Sequence, residues 1–429
     1  MTSLYVFLIF VSILILGVPI GVAILLISAI GLYFKNISLL MLPQTIIDGI
    51  KSYILLAIPL YILAGELMNV SGVSKRIFDF ALTLVGHIRG GLGHVNILAS
   101  LIFAGISGSA SADASGLGRV EIKAMREEGY DIDFSAAITA ASSTIGPIIP
   151  PSIDMMVYAS VAQVPAAALL IAGVVPGLFM GVGLMILVYL LAVSGRVKCP
   201  VRSRKPIRII LLKFMEAFLP LLAPIIIVGG IMGGIVTPTE AGVVAVVYIF
   251  LLGIIYRELN INKIVICLQN TIYSTGVVMF MLGVARIFGW FITIEQIPNK
   301  FMEFVFSITS DKILILLFLD ILLLFLGMIS TVSANVVLIT PIIFPILSPL
   351  GIDPIHIGVV IVFGLVIGII TPPVGTSLYI LSEVAQISYE KLVKAIWIFY
   401  IPLILVLFII TYFPQVTLFL PKLVGLMPR

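Results

Sequence analysis

Long apolar runs and short polar breaks alternate along the whole chain. Runs of roughly 20 residues, enough to cross about 30 Å of hydrocarbon, recur near 2–33, 53–70, 168–194, 213–236, 241–256, 266–290 and 393–415. Leu, Ile, Val and Phe fill them without the strict alternation of a transmembrane barrel strand, so the spans read as α-helices. Four segments depart from this pattern. Those at 94–123 and 313–348 read as hairpins that enter the membrane and return on the same side. Those at 135–163 and 356–381 read as crossings broken by paired prolines. The pattern predicts an all-α polytopic membrane protein of about nine crossings and two re-entrant hairpins.

Composition narrows the class further. Of 429 residues, 61% are hydrophobic and 10% charged, and the mean hydropathy is +1.28, far from the soluble globular range. No polar stretch is long enough to form a soluble domain. The opening "MTSLYVFLIFVSILILG" has no basic region ahead of its apolar run and no small-residue cleavage site, so it is expected to be a retained first helix. Cys199 and Cys267 offer no disulfide framework, and His87, His94 and His356 lack metal-ligand spacing. The net charge of +4 reports topology rather than nucleic-acid binding.

The most basic loop carries Arg196, Lys198, Arg202, Arg204, Lys205 and Arg208, and the positive-inside rule places it in the cytoplasm. Counting crossings from there puts the charged segment 119–133 inside, the N-terminus inside and the C-terminus outside. The second half then begins on the side opposite to the first.

An internal repeat agrees with that inversion. "IGPIIPPS" at 145–152 matches "IGIITPPV" at 367–374, an offset of 222 residues. At the same offset Gly105 falls on Gly327, Ser111 on Ser333, Ala112 on Ala334 and Asp113 on Asn335. Residues 1–195 form a first repeat, 196–240 a basic loop with a connecting helix, and 241–429 an inverted second repeat. Consecutive prolines remove amide donors and break a helix. The carbonyls so freed are tolerated at membrane depth only where protein, water or an ion meets them. Such oxygens suit a small cation and half-helix N-termini suit an anion, the pattern of inverted-repeat transporters. A kink or packing role explains any one such element. Four elements in ungapped register favour a binding site.

Together, "IPLYILAGELMN" (58–69), "GHIRGGLGHVNILASLIFAGISGSASADASGLG" (86–118), "GPIIPPSI" (146–153), "GGIVTPTEA" (233–241) and "IGIITPPVG" (367–375) resemble the large membrane subunit of tripartite ATP-independent periplasmic (TRAP) transporters. The resemblance covers essentially the whole chain. It implies an elevator-type fold and sodium-driven uptake of carboxylates such as C4-dicarboxylates, sialic acid or sugar acids across the bacterial inner membrane. It also implies two partners, a periplasmic solute-binding protein and a small membrane subunit, with no cofactor beyond sodium. The first span is expected to start near Tyr5, so no small-subunit fusion is expected. Carried across by position, the resemblance gives Ser107, Ser109, Asp113, Ser143, Thr144, Gly146 and Pro150 in the first half. In the second it gives Ser333, Asn335, Thr371, Pro372, Gly375 and Thr376. These are expected to contact sodium or substrate. Three positions depart from many relatives: Thr331, Arg286 and Asp154.

Charges at membrane depth carry a cost and usually have a partner or a task. Asp113 is read as a cation-site acid or as the cap of the second hairpin arm. Glu66 is read as scaffold or site, and Glu240 as a first-turn acid favoured by its helix dipole. Arg286 either pairs with Asp320, contacts a substrate carboxylate with its fork, or snorkels to the interface. Trp290 and Phe291 are expected in an aromatic belt. Two other functions stand beside the leading one. A self-sufficient sodium/dicarboxylate symporter of related fold would need no partners. A membrane-embedded enzyme would need paired acidic motifs or a His-centred base, and neither is in the sequence.

Overall fold

The computed structural model describes residues 12–427 apart from 14–15, 198, 201 and 348–349. Tyr5 and Lys198 therefore lie outside the described residues, as does most of the expected opening span ahead of Ile20. Every described regular element is helical. Six helical stretches among them are long and apolar enough to cross a membrane: Tyr53–Val70, Ala166–Val193, Ile207–Met232, Pro238–Ile255, Ile261–Ile294 and Tyr389–Tyr412. The longest, with 34 residues, extends roughly 50 Å at 1.5 Å per residue and must tilt to fit the bilayer.

Local sequence sets the helix boundaries. Thr237 and Glu240 form a reciprocal cap, with the Thr237 N–H donating to the Glu240 carboxylate (2.8 Å) and Pro238 at the first helical position. Glu240 is thus a first-turn acid, as expected. Asp311 and Asp353 cap two later helices by accepting backbone N–H bonds of 2.8 Å from Ile313 and Ile355.

Packing sorts the helices into two layers that cut across the repeats. In one layer, Ala57–Val70 packs on Pro238–Ile255, Met41–Ile50 on Ile261–Ile294, and Val73–Val85 on Ile207–Met232. Its outer surface is apolar, with Leu211, Met215 and Ile225 exposed on Ile207–Met232 as lipid-facing side chains. The other layer holds the hairpins and the broken helices. The first hairpin consists of Gly91–Ser107, a tip, and a return arm ending in Gly118–Glu127. The second consists of Lys312–Gly327 and Val332–Leu347. Ile132–Ser143 and Ile153–Ala162 are the halves of the first broken helix, and Pro354–Gly368 and Thr376–Ala385 those of the second. The four breaks expected from sequence are all present.

The broken helices occupy the centre. Every residue from Phe134 to Ser143 and from Ile355 to Gly368 is buried. Elements of the two repeats interlock there, Ile153–Ala162 packing on Val332–Leu347 and Thr376–Ala385 on Ile132–Ser143. On one face the Arg202 guanidinium engages both carboxylate oxygens of Glu128, with Nε 3.1 Å from Oε2. That ion pair sets the basic loop beside the 119–133 segment, as the topology requires.

Each hairpin tip is tied to the break in its own repeat by one backbone bond. The Ile153 N–H donates to the Gly108 carbonyl (3.3 Å) and the Gly375 N–H to the Met328 carbonyl (3.2 Å). The Pro150–Pro151 and Pro372–Pro373 peptide bonds are both cis. Glycine is required where these backbones meet. Gly108 has φ of +62°, and a Cβ there would stand 1.9 Å from the Pro151 carbonyl oxygen. A Cβ on Gly368 would lie 2.4 Å from the Gly327 Cα. Backbone cannot yield as a side-chain end can, so Gly108→Ala and Gly368→Ala should each lower stability by about 1–3 kcal/mol. Gly276→Ala, whose Cβ meets open space, should cost far less, and a thermal-melt series in detergent in which all three variants matched wild type would contradict this packing.

Candidate functional site

The two hairpin tips and the two broken helices do not close on one another completely. Between them and the long helix Ile261–Ile294 lies a cavity of about 780 Å³. Ser107, Ser109 and Ser111 reach it from the first tip, Thr331 and Ser333 from the second, and Asp154 and Glu383 from the broken helices. Glu66, Tyr273 and Ser274 form the opposite wall, contributed by the other layer. Glu66 is therefore a cavity residue, and it accepts a hydrogen bond from the Asn270 side-chain amide (2.9 Å).

Of the residues expected at the site, Ser107, Ser109 and Ser333 line the cavity. The Ser107 hydroxyl is buried without a hydrogen-bond partner. Ser109 Oγ lies 3.0 Å from Ser111 Oγ and accepts from the Ala112 N–H (3.5 Å), so Ser109 caps the turn at the tip. This corrects the reading of Asp113 as the cap. Gly146 sits behind Ser109, and its missing Cβ would lie 3.2 Å from the Ser109 carbonyl oxygen and 3.4 Å from that of Ser143. Two backbone carbonyls thus converge where the helix is interrupted. Ser143 and Thr144 are buried, and their hydroxyls donate back to the Ala140 and Ala141 carbonyls, leaving their oxygens as acceptors. Pro150 belongs to the same break.

The second half is arranged differently at the same register. Asn335 Nδ2 donates to the Leu326 carbonyl (2.8 Å), Thr371 Oγ1 to the Ile367 carbonyl (2.8 Å), and the Tyr400 hydroxyl to the Ile370 carbonyl (2.7 Å). Side chains satisfy there some of the carbonyls that the break exposes. Pro372 and Gly375 shape the break, and Thr376 opens the following helix, whose first turn has no acid.

Asp154 links the two halves. It lies in the first turn of Ile153–Ala162, capped by Ser152, and the Ser333 hydroxyl of the second tip donates to its Oδ1. Asp154, which falls on Thr376 at the 222-residue offset, is thus the partner of Ser333, which falls on Ser111.

Asp113 is buried and stands outside the cavity wall, with Oδ2 unpartnered. Beside it runs a network that the sequence reading missed. Asn96 Nδ2 donates to Glu121 Oε2 (2.7 Å) and Thr139 Oγ1 (2.8 Å), and the Ser142 hydroxyl donates to Asn96 Oδ1 (2.6 Å). Glu121 is fully buried, although its setting in "GRVEIKAMREEG" reads as a solvated charged loop. Only the apolar residues three and four positions away on the same helix face, Ile122 aside, hinted otherwise.

Two further expectations need correcting. Arg286 does not pair with Asp320, whose buried Oδ1 accepts from the Thr411 hydroxyl at 3.0 Å. Arg286 instead lines a separate cavity on the same long helix. Phe291 is buried in a cluster with Ile24 and Ile27 rather than in an aromatic belt, because Gly31 opens a slot for its ring.

This geometry defines a membrane transporter of inverted hairpins and broken helices, and comparison with known proteins gives its family. Residues 7–416 match the model of the tripartite ATP-independent periplasmic transporter, DctM component. The sialic acid TRAP transporter large permease protein SiaM of Vibrio cholerae is 41% identical over 410 residues, covering 95% of each chain. The C4-dicarboxylate large permease DctM of Pseudomonas aeruginosa is 38% identical over 92% of each chain. The 2,3-diketo-L-gulonate large permease YiaN of Escherichia coli is 34% identical over 93% of this chain and 94% of its own. The chain belongs to the TRAP large permease family. The fold alone is shared with the Alcanivorax borkumensis YdaH transporter, at TM-score 0.57 and 16% identity over 90% of this chain and 89% of that one. It is therefore a multi-pass inner-membrane transport protein, and the enzyme reading falls.

The Asp154–Ser333 contact predicts a measurable coupling. In a double-mutant cycle of Asp154→Ala and Ser333→Ala, unfolding of the purified protein should give an interaction energy of about 1–3 kcal/mol. Strict additivity would remove the link between the halves.

Proposed function

We propose that the chain is the sodium-coupled permease of an organic-acid importer, receiving its solute from a periplasmic binding protein and working with a small membrane subunit. The observation that carries this reading is the cavity between the two layers, with both hairpin tips and one half of each broken helix, Ile153–Ala162 and Thr376–Ala385, at its wall. The Ser109 and Ser143 carbonyls beside Gly146, each accepting one backbone N–H and keeping a second lone pair, and the unpartnered oxygens on Ser107 and Asp113 nearby in sequence are hard oxygen donors of the kind a small cation needs. Asp154 in the first turn of one half-helix favours a cation there, and the acid-free N-terminus of Thr376–Ala385 is the better anion end. Relatives named for sialic acid, C4-dicarboxylate and 2,3-diketo-L-gulonate support a carboxylate as the solute.

Transport on this reading follows an elevator path. The layer of hairpins and broken helices carries ions and solute past the layer built on Ile207–Met232 and Ile261–Ile294. The basic loop, with Arg202 held by Glu128, marks the cytoplasmic face, which leaves the N-terminus inside and the C-terminus in the periplasm.

The test is uptake of a radiolabelled organic-acid panel into proteoliposomes holding the large and small subunits, with binding protein outside. Uptake should require both the binding protein and an inward sodium gradient, and Ser109→Ala combined with Asp113→Ala should reduce it by about tenfold or more. Uptake that proceeds without the binding protein would favour the self-sufficient symporter. Indifference to sodium would refute the coupling.

A further inference from the structure

A second cavity of about 770 Å³ opens beside the other end of Ile261–Ile294. The first cavity takes Tyr273, Val277 and Met281 from that helix, and the second takes Leu282, Arg286, Trp290 and Thr293. Tyr273 and Thr293 are 20 residues apart, or roughly 30 Å at 1.5 Å per residue, about the depth of the hydrocarbon. Ile153–Ala162 shows the same split. Its start, at Ile153 and Asp154, faces the first cavity, and its far end, at Ser160 and Val161 followed by Gln163, faces the second. Two openings therefore lie on either side of one packed contact between the layers. Arg119 lines the first, on the segment that Glu128 and Arg202 tie to the basic loop, so the second lies toward the opposite face.

Its lining is suited to an anion. Arg286 is exposed to the cavity and forms no ion pair among the described residues, so its guanidinium fork is available. Lys51 stands in the same wall, held by Asp48 at 2.8 Å, which leaves one net positive charge in the cavity. Ser52, Ser160 and Gln163 add neutral hydrogen-bonding groups. Gly49 lets the guanidinium stem come close, since a Cβ there would lie 3.0 Å from the Arg286 Cβ.

We propose that this cavity is a receiving site for the organic-acid anion on the delivery face, with Arg286 engaging its carboxylate before the solute reaches the hairpin site. The inference rests on the organic-acid reading above. A concave pocket with a single unpaired guanidinium at its side fits a small anion better than the acidic surface of a docking protein.

The reconstituted complex tests it by titration with solute-loaded binding protein. Arg286→Gln should lower the maximal uptake rate by about tenfold or more while leaving the half-saturating concentration of loaded binding protein within about twofold. Arg286→Lys should recover part of the loss, since it keeps charge without the fork. An unchanged maximal rate in Arg286→Gln overturns the proposal. A rise confined to the half-saturating concentration of loaded binding protein also overturns it and makes Arg286 a docking contact. Wild-type complex that carries no organic acid at all refutes the underlying function instead.

Discussion

At membrane depth a backbone N–H or C=O without a partner costs several kcal/mol, and the architecture answers that constraint. Ordinary spans meet it within one helix. The paired prolines at 150–151 and 372–373 prevent this in two places, and the surrounding structure has to supply the missing partners. The first break is buried and the second is partly exposed at Pro372 and Pro373, each is bonded to the tip of a hairpin, and glycines let those backbones approach. The hairpins can be seen as the means by which a broken helix is made tolerable in lipid.

The two halves solve the problem with related chemistry and different residues. In the second, Asn335, Thr371 and Tyr400 spend hydrogen-bond donors on the carbonyls near the break. In the first, the Ser152 hydroxyl donates to the Pro147 carbonyl, Ser143 and Thr144 donate along their own helix as Thr371 does, and oxygens on Ser107 and Asp113 are left unpartnered. Side chains meet carbonyls at both breaks, and the difference lies in the spare oxygens of Ser107 and Asp113 on the first hairpin. Inverted symmetry in the sequence thus need not mean symmetric function, and Asp154, bonded to Ser333 across the halves, is where the asymmetry is most direct.

The elements of the fold were legible in the sequence to a large degree. Periodicity gave helices, the Pro-Pro pairs gave the two breaks, and the 222-residue register gave the second hairpin from the first. Thr237 and Glu240 announced their cap through local spacing alone. What failed was partner assignment. Arg286 and Asp320 look like an ion pair along the chain, yet Asp320 meets Thr411, 91 residues away. Glu121 looks solvated and is buried against Asn96.

The sequence by itself determined the solvent, the helices, the breaks, the repeat and the family resemblance. All of these follow from composition and from spacing within a few turns, where backbone sterics and hydrophobic periodicity act locally. Only the tertiary structure decided that the repeats divide into two layers, that one cavity lies between the hairpin tips and the long helix, and that Arg286 stands in a second. These depend on which faces meet across more than a hundred residues of chain. Close packing settles that choice through the fit of many side chains at once, and no single stretch of sequence contains it.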